Sequence, residues 1–251
     1  MDNLSLALTF SLVLVGIAIS HQERLRLEKD LLVGSMRAVL QLTVIGFILT
    51  YVFDISNPWL TTLLLLLMIY NATTVAAKRG AGIAGVKTIS YLAMLAALTI
   101  TLGGLVAFHA LQYQPSQVIP VSGMIVGNAM VALGIAFRQL KDGFRQRRDE
   151  LEAKLCLGAA PNEAARSLVQ DSIRAAMQPT VDSMKTVGLV QLPGMMTGLI
   201  LAGSSPLLAI KYQIMVTFML SGAVAIASFL ACFWAYRAFF NQAEQLITPV
   251  D

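Results

Sequence analysis

Residues 58–77 read PWLTTLLLLLMIYNATTVAA, twenty residues without one charged side chain. A helix rises about 1.5 Å per residue, so a run of this length covers the roughly 30 Å hydrocarbon core of a bilayer. The pair Lys78-Arg79 closes it. This segment predicts a membrane-crossing helix, and six more apolar runs flank it. They are roughly Leu4–Ile19, Leu32–Phe53, Ile89–Leu111, Val118–Phe137, Val187–Ala202 and Tyr212–Phe239. The chain is 57% hydrophobic and 13% charged, which excludes an ordinary soluble domain. The expected fold is all-α: a polytopic integral membrane protein of about seven transmembrane helices, forming one transmembrane domain over residues 1–251. It belongs in the inner (plasma) membrane, in contact with lipid, and no nucleic-acid partner is expected. The first run is read as a span rather than a signal peptide, because Met1-Asp2-Asn3 carries no Lys or Arg and the positive charges follow the run.

Lys and Arg stay on the cytoplasmic side of membrane proteins. Arg24, Arg26 and Lys29 follow the first run, and Lys78, Arg79 and Lys87 follow the third. Most of the remainder lies between Arg138 and Lys185, after the fifth. The alternate connections hold one basic residue, Lys211, against fifteen. The N-terminus is therefore expected outside and the C-terminus in the cytoplasm. The basic segment of about 138–185 becomes a cytoplasmic loop.

That loop has its own pattern. Leu140, Phe144, Leu151 and Leu155 continue a helical apolar spacing beyond the fifth run. Arg145/Asp149, Arg148/Glu152 and Glu150/Lys154 stand four apart and support the same helix. Gly158 permits a sharp turn, and Pro161 suits the first turn of a new helix. The new helix is expected to reach about Met177, with Ala165, Leu168, Val169, Ile173 and Ala176 on one face. Glu163, Arg166, Gln170, Asp171 and Arg174 take the other face, and Pro179 ends or kinks it. An amphipathic helix of this kind can lie on the membrane surface. Two helices joined by a sharp bend instead form a knob that fits a partner's groove.

The stretch Glu152-Ala153-Lys154-Leu155-Cys156-Leu157-Gly158, followed by Ala160-Pro161, resembles the cytoplasmic loop of importer-type ABC-transporter permeases. That loop carries Glu-Ala-Ala, three residues and a Gly; Lys154 departs from the second Ala, and the later Ile-x-Leu-Pro element is poorly kept. A second resemblance covers nearly the whole chain. Met124-Ile125-Val126-Gly127-Asn128-Ala129-Met130, Gln191-Leu192-Pro193-Gly194-Met195-Met196-Thr197-Gly198, Leu201-Ala202-Gly203 and Tyr212-Gln213-Ile214-Met215 are similar to motifs of the FetB-like permease family. Bacterial members are described as iron-export permeases, and plant relatives are linked to aluminium tolerance. Leu199 departs from the polar Gln of many relatives. The resemblance implies a permease subunit driven by a separate cytoplasmic ABC ATPase, with ATP and Mg bound there and no cofactor on this chain. Glu152, Ala153, Gly158, Ala160, Pro161, Glu163 and Arg166 would form its coupling loop.

The residues agree with a missing motor. The chain contains no Gly-x-x-x-x-Gly-Lys-Ser/Thr phosphate loop, so ATP hydrolysis by that chemistry falls to another polypeptide. Seven spans are few for a complete pathway, so two permeases with two ATPases are expected. Ionisable side chains are scarce inside the runs, which argues against a self-powered carrier. Pathway candidates cluster in the sixth run, where Pro193 interrupts the backbone ladder beside Gln191, Met195, Met196 and Thr197. Asn128, on one face with Met124, and Gln41 and Asn71 either line the route or join helices. Twelve methionines mostly fill packing gaps, and no metal-ligand set is recognisable. A nucleotide-sugar or lipid-like cargo, or a channel without a motor, are the rival readings.

Overall fold

The computed structural model describes residues 8–55 and 57–247; residues 1–7, where the first run begins, lie outside them. The helices are α1 Ser11–Gln22, α2 Glu28–Ile55, α3 Pro58–Arg79, α4 Val86–Ala107, α5 Pro115–Gln146, α6 Arg148–Cys156, α7 Pro161–Ala164, α8 Arg166–Thr186, α9 Gly194–Leu201 and α10 Pro206–Ala235. A 3₁₀ turn, Tyr236–Phe239, extends α10. Among the described residues five helical segments are long and apolar enough to cross a membrane: those beginning at Glu28, Pro58, Val86, Pro115 and Pro206. The first and sixth expected runs are carried by shorter helices, α1 of 12 residues and α9 of 8.

The sixth run, expected as one helix over Val187–Ala202, is instead a turn followed by a short helix. Gly188 turns the chain at φ +84°, Val187 bridges Gln191, and Pro193 caps α9 without an amide hydrogen to continue a ladder. The preceding helix also differs from expectation. Of the two outcomes expected at Pro179, an end or a kink, the end does not occur: α8 continues past Pro179 to Thr186. Contacts with α5 and α10 along its length hold the backbone where the proline removes a hydrogen bond.

The contacts divide the chain into two compact units, residues 1–57 and 58–251. In the first, α1 and α2 pack together around a turn in which Arg24 and Arg26 take positive φ. The buried Ser20 fixes that turn, its hydroxyl accepting from Leu27 N–H at 3.0 Å. Side chains such as Leu42 and Phe47 stand exposed on α2, as suits a helix in lipid.

In the second unit α5 is the spine, touching α3, α4, α8 and α10. Val118, Ser122, Ile125, Ala129, Ala132, Ala136, Leu140 and Phe144 form a continuous buried row at three- and four-residue spacing. The α8 contact is a seam of small and medium residues: Ala132 and Ala136 of α5, Ala176 of α8, Val224 and Cys232 of α10. Some polar groups in the spans bond their own helices, as Ser90 Oγ does to Val86 O at 2.7 Å, while the buried hydroxyls of Thr73, Ser122 and Ser228 have no partner. Gly80 marks the closest approach at the α3–α4 turn, where an added Cβ would stand 2.7 Å from Val86 Cγ2 and 3.0 Å from Phe137 Cδ2. Replacing Gly80 with Ala therefore costs about 1–3 kcal/mol through overpacking. Gly222 has nothing within 4 Å of its added Cβ, and Gly222→Ala leaves thermal unfolding of the detergent-solubilised protein unchanged or slightly raised.

Candidate functional site

Two places carry unusual chemistry, and α8 runs from one to the other. The first is a cavity of about 130 Å³ between α5, α8 and α10, its walls partly polar and partly apolar. Asn128, Thr180, Ser183, Met184, Gln213 and Thr217 contribute to its walls. Asn128 stands near the middle of the apolar run Val118–Phe137, and both it and Ser183 are exposed. The Asn128 amide donates to Met124 O at 2.9 Å, which keeps that bond within its own helix. Gln213 Nε2 donates to Thr217 Oγ1 at 3.4 Å, and the Thr217 hydroxyl donates to Gln213 O at 2.8 Å. Gln213 Oε1 is buried and makes no hydrogen bond within the protein. A buried acceptor left in that state costs about 1–3 kcal/mol, so this atom is poised for a ligand or water. Gln191, in the turn before α9, donates to Ser183 Oγ at 3.0 Å and ties the break in the chain to the cavity wall. Broken helices of this kind frame binding sites in many transporters.

The second place is the elbow. α5 ends at Gln146, α6 follows after Arg147, and Gly158 takes φ +90°. The αL region is open to glycine and strained for other residues, which is why the bend falls there. Ala160 is extended and Pro161 starts α7, after which α8 turns back along α5. Arg148 pairs with Glu152 at 2.7 Å and Lys154 with Glu150 at 2.6 Å, as the spacing requires. The Lys154 ammonium holds Glu150 below the ordinary carboxylate range. Ala165, Leu168 and Ala176 are buried, with Val169 and Ile173 packed beside them, so the expected apolar face is the packed face. On the polar side Asp171 reaches both Arg147, at 3.3 Å, and Arg174, at 3.2 Å. Asp182 and Lys185, one turn apart on α8, stand 3.8 Å apart.

The C-terminal segment completes the elbow. Phe144 of α5 stacks on Phe239 with centroids 4.0 Å apart and meets Phe240 edge-on at 5.9 Å. Phe240 bridges Leu246, and Asn241 Oδ1 accepts from the amides of Ala243 and Gln245 at 2.9 and 2.8 Å. Together the elbow and this segment enclose a cleft of about 770 Å³ with Glu152, Cys156, Gly158, Ala160, Glu244 and Leu246 on its walls.

The model of the uncharacterised protein family UPF0014 matches residues 3–240. The chain belongs to this family. Within UPF0014 it is 47% identical over 245 residues to the probable iron export permease protein FetB of Escherichia coli, covering 98% of this chain and 95% of the relative. It is 39% identical to the UPF0014 membrane protein STAR2 of Oryza sativa, over 94% of this chain and 83% of the relative. It is 37% identical to the protein ALUMINUM SENSITIVE 3 of Arabidopsis thaliana, over 95% of this chain and 87% of the relative. No solved structure matches it. The chain is an all-α, multi-pass membrane protein of a permease family, and its place is the inner membrane.

Of the pathway candidates, Asn128 lines the cavity and Gln191 is bonded to its wall. Pro193, Met195, Met196 and Thr197 form the start of α9: Thr197 Oγ1 bonds Pro193 O at 3.1 Å, and Met195 packs on the main core, as does Met124 of α5. Asn71 of α3 donates to Leu67 O of its own helix at 3.0 Å, and Gln41 lies on α2 in the other unit. Of the coupling residues, Glu152, Ala153, Gly158, Ala160, Glu163 and Arg166 are exposed, and Pro161 is half-buried. Gln213, Thr217, Thr180 and Ser183 were not singled out by sequence as cavity residues. The available signal was Gln213 and Thr217 four apart on one face of an otherwise apolar run.

The elbow's stability rests on stacking more than on charge. Phe239→Ala removes a side chain that is 1% exposed and costs about 3–5 kcal/mol. Asp171→Ala breaks half-exposed ion pairs and costs about 1 kcal/mol or less. Thermal unfolding of the two variants in detergent measures the difference.

Proposed function

We propose that the chain is the membrane-spanning subunit of an ABC transporter that exports iron, powered by a separate cytoplasmic ATPase. Two permeases pair with two ATPases, with the permease N-terminus outside and its C-terminus in the cytoplasm. The observation that carries this reading is the continuity of α8: one helix runs from an exposed, sharply bent elbow to a cavity shared by α5, α8 and α10. A device of that form is what an external motor needs and what a channel does not. The excess of Lys and Arg on the elbow's side supports its cytoplasmic placement. The similarity to a relative named as a probable iron export permease supports the cargo.

In this reading ATP binding closes the ATPase pair, whose surface grips the elbow beside Glu152, Gly158 and Pro161. The displacement passes along α8, and the break between α8 and α9 lets the cavity change its opening while α5 and α10 stay packed. The absence of a phosphate-loop motif supports hydrolysis on a partner that binds ATP and Mg.

Cys156 is exposed on the elbow and gives a direct test. A water-soluble maleimide labels it in the permease alone, and the co-purified ATPase subunit protects it. Labelling that is the same with and without the ATPase contradicts docking at the elbow. Placing Val at Gly158, where φ is +90°, stores about 1–3 kcal/mol of strain that the bend relieves by changing shape. The Gly158→Val protein inserts into the membrane and its partner still hydrolyses ATP, while iron efflux falls; unchanged efflux contradicts the coupling role.

A further inference from the structure

A groove of about 330 Å³ opens between the basic ends of α3 and α5, lined by Arg79, Gly134, Ile135, Arg138 and Gln139. Arg79 is the last residue of α3, and Arg138 directly follows the apolar run Val118–Phe137. Both stand where hydrocarbon gives way to the phosphate layer of a bilayer. Gly134 brings the two arginines to one groove. It is buried on α5, and a Cβ added there would stand 2.5 Å from Arg79 Cδ and 2.7 Å from Arg79 Nη1. The absent side chain is the seat of the Arg79 guanidinium, one helical turn before Arg138. Two guanidinium groups facing one groove repel each other unless an anion joins them. Among the described residues neither arginine makes an ion pair or a side-chain hydrogen bond, and Asp142, four residues beyond Arg138, does not pair with it. Farther along the same basic segment the pairing is made: Arg147 with Asp171, Arg148 with Glu152 and Lys154 with Glu150.

The surface below the groove, toward the membrane, is apolar. Val75 precedes Arg79 by one turn of α3, Val131 precedes Ile135 by one turn of α5, and both valines are exposed. Two cations and the Gln139 amide therefore face a headgroup, and an apolar strip continues beneath them for an acyl chain. The planar guanidinium fork matches phosphate oxygens. We propose that this groove binds the phosphodiester headgroup of an anionic phospholipid, with Arg79 and Arg138 as its ligands and Gly134 as the residue that seats Arg79. Free phosphate shares the chemistry but makes no use of the apolar strip. Basic pockets between spans, at the end where Lys and Arg gather, are suited to such headgroups. The site does not depend on which cargo the permease carries.

The full-length permease in uncharged detergent is titrated with dioleoyl-phosphatidylglycerol, with dioleoyl-phosphatidylcholine as reference, and bound lipid is read by native mass spectrometry. The wild type retains phosphatidylglycerol severalfold better than phosphatidylcholine. Arg79→Gln and Arg138→Gln each weaken phosphatidylglycerol binding about fivefold, the contribution of one cation at an anionic surface. Gly134→Ala keeps the charge but displaces Arg79, and it weakens binding as Arg79→Gln does. Arg145 is exposed on the same helix and outside the groove, and Arg145→Gln removes one charge without effect. Thermal unfolding confirms that each variant is folded; should Gly134→Ala unfold, the two glutamine variants decide. Undiminished binding by folded Arg79→Gln and Arg138→Gln proteins overturns the site. Equal losses for Arg145→Gln and Arg79→Gln show diffuse attraction and overturn it as well. Inorganic phosphate in excess leaves the lipid bound. Arg79-dependent protection against thermal unfolding by inorganic phosphate, with no retention of phosphatidylglycerol, would make the groove a free-anion site and overturn the lipid assignment.

Discussion

The close approach of α8 to α5 and α10 is the constraint on which the rest depends. It is made by small side chains: Ala132 and Ala136 on one wall, Ala176 on the returning helix, and Val224 and Cys232 on the other wall. In lipid the apolar effect does not drive helices together, so backbone proximity and dispersion must do so, and bulky residues would hold the helices apart. Because α8 fits this seam, an otherwise polar helix can run back along the bundle. Because it runs back, one continuous helix leads from the elbow to the cavity.

The elbow is built to match. Its bend is set by backbone geometry at Gly158 and its base by stacked rings, Phe144 on Phe239. Ion pairs across its surface, such as Arg147 with Asp171, orient the helices more than they stabilise them. At the far end the helix stops where Gly188 and Pro193 interrupt regular hydrogen bonding.

Much of this was legible in the sequence. The length and charge of the apolar runs gave the membrane class, and the spacing of Leu140, Phe144 and Leu151, all buried, gave a helix beyond the fifth run, which the structure divides at Arg147 into the end of α5 and α6. Gly158 and Pro161 marked the bend, and the apolar side of α8 was read correctly from Ala165 to Ala176. Two things were hidden. Pro179 reads as a stop locally, but tertiary contacts with α5 and α10 sustain the helix through it to Thr186. The sixth run reads as a span by hydropathy, yet Gly188 and Pro193 reduce it to a turn and a short helix. The cavity was hidden for a related reason. Gln213 and Thr217 sit inside an apolar run, and only the return of α8 to the level of Asn128 makes a site of them.

The claim that α8 carries motion from the elbow to the cavity is tested most directly at Ser183, on the cavity wall and 17 residues along the helix from Arg166. Ser183→Cys is prepared with Cys156 and Cys232 replaced by Ala, and its reaction with a water-soluble maleimide is timed in the permease–ATPase complex. The account predicts that a non-hydrolysable ATP analogue changes the labelling rate severalfold, and that Gly158→Val abolishes the change. A rate that is the same with and without the nucleotide would contradict it.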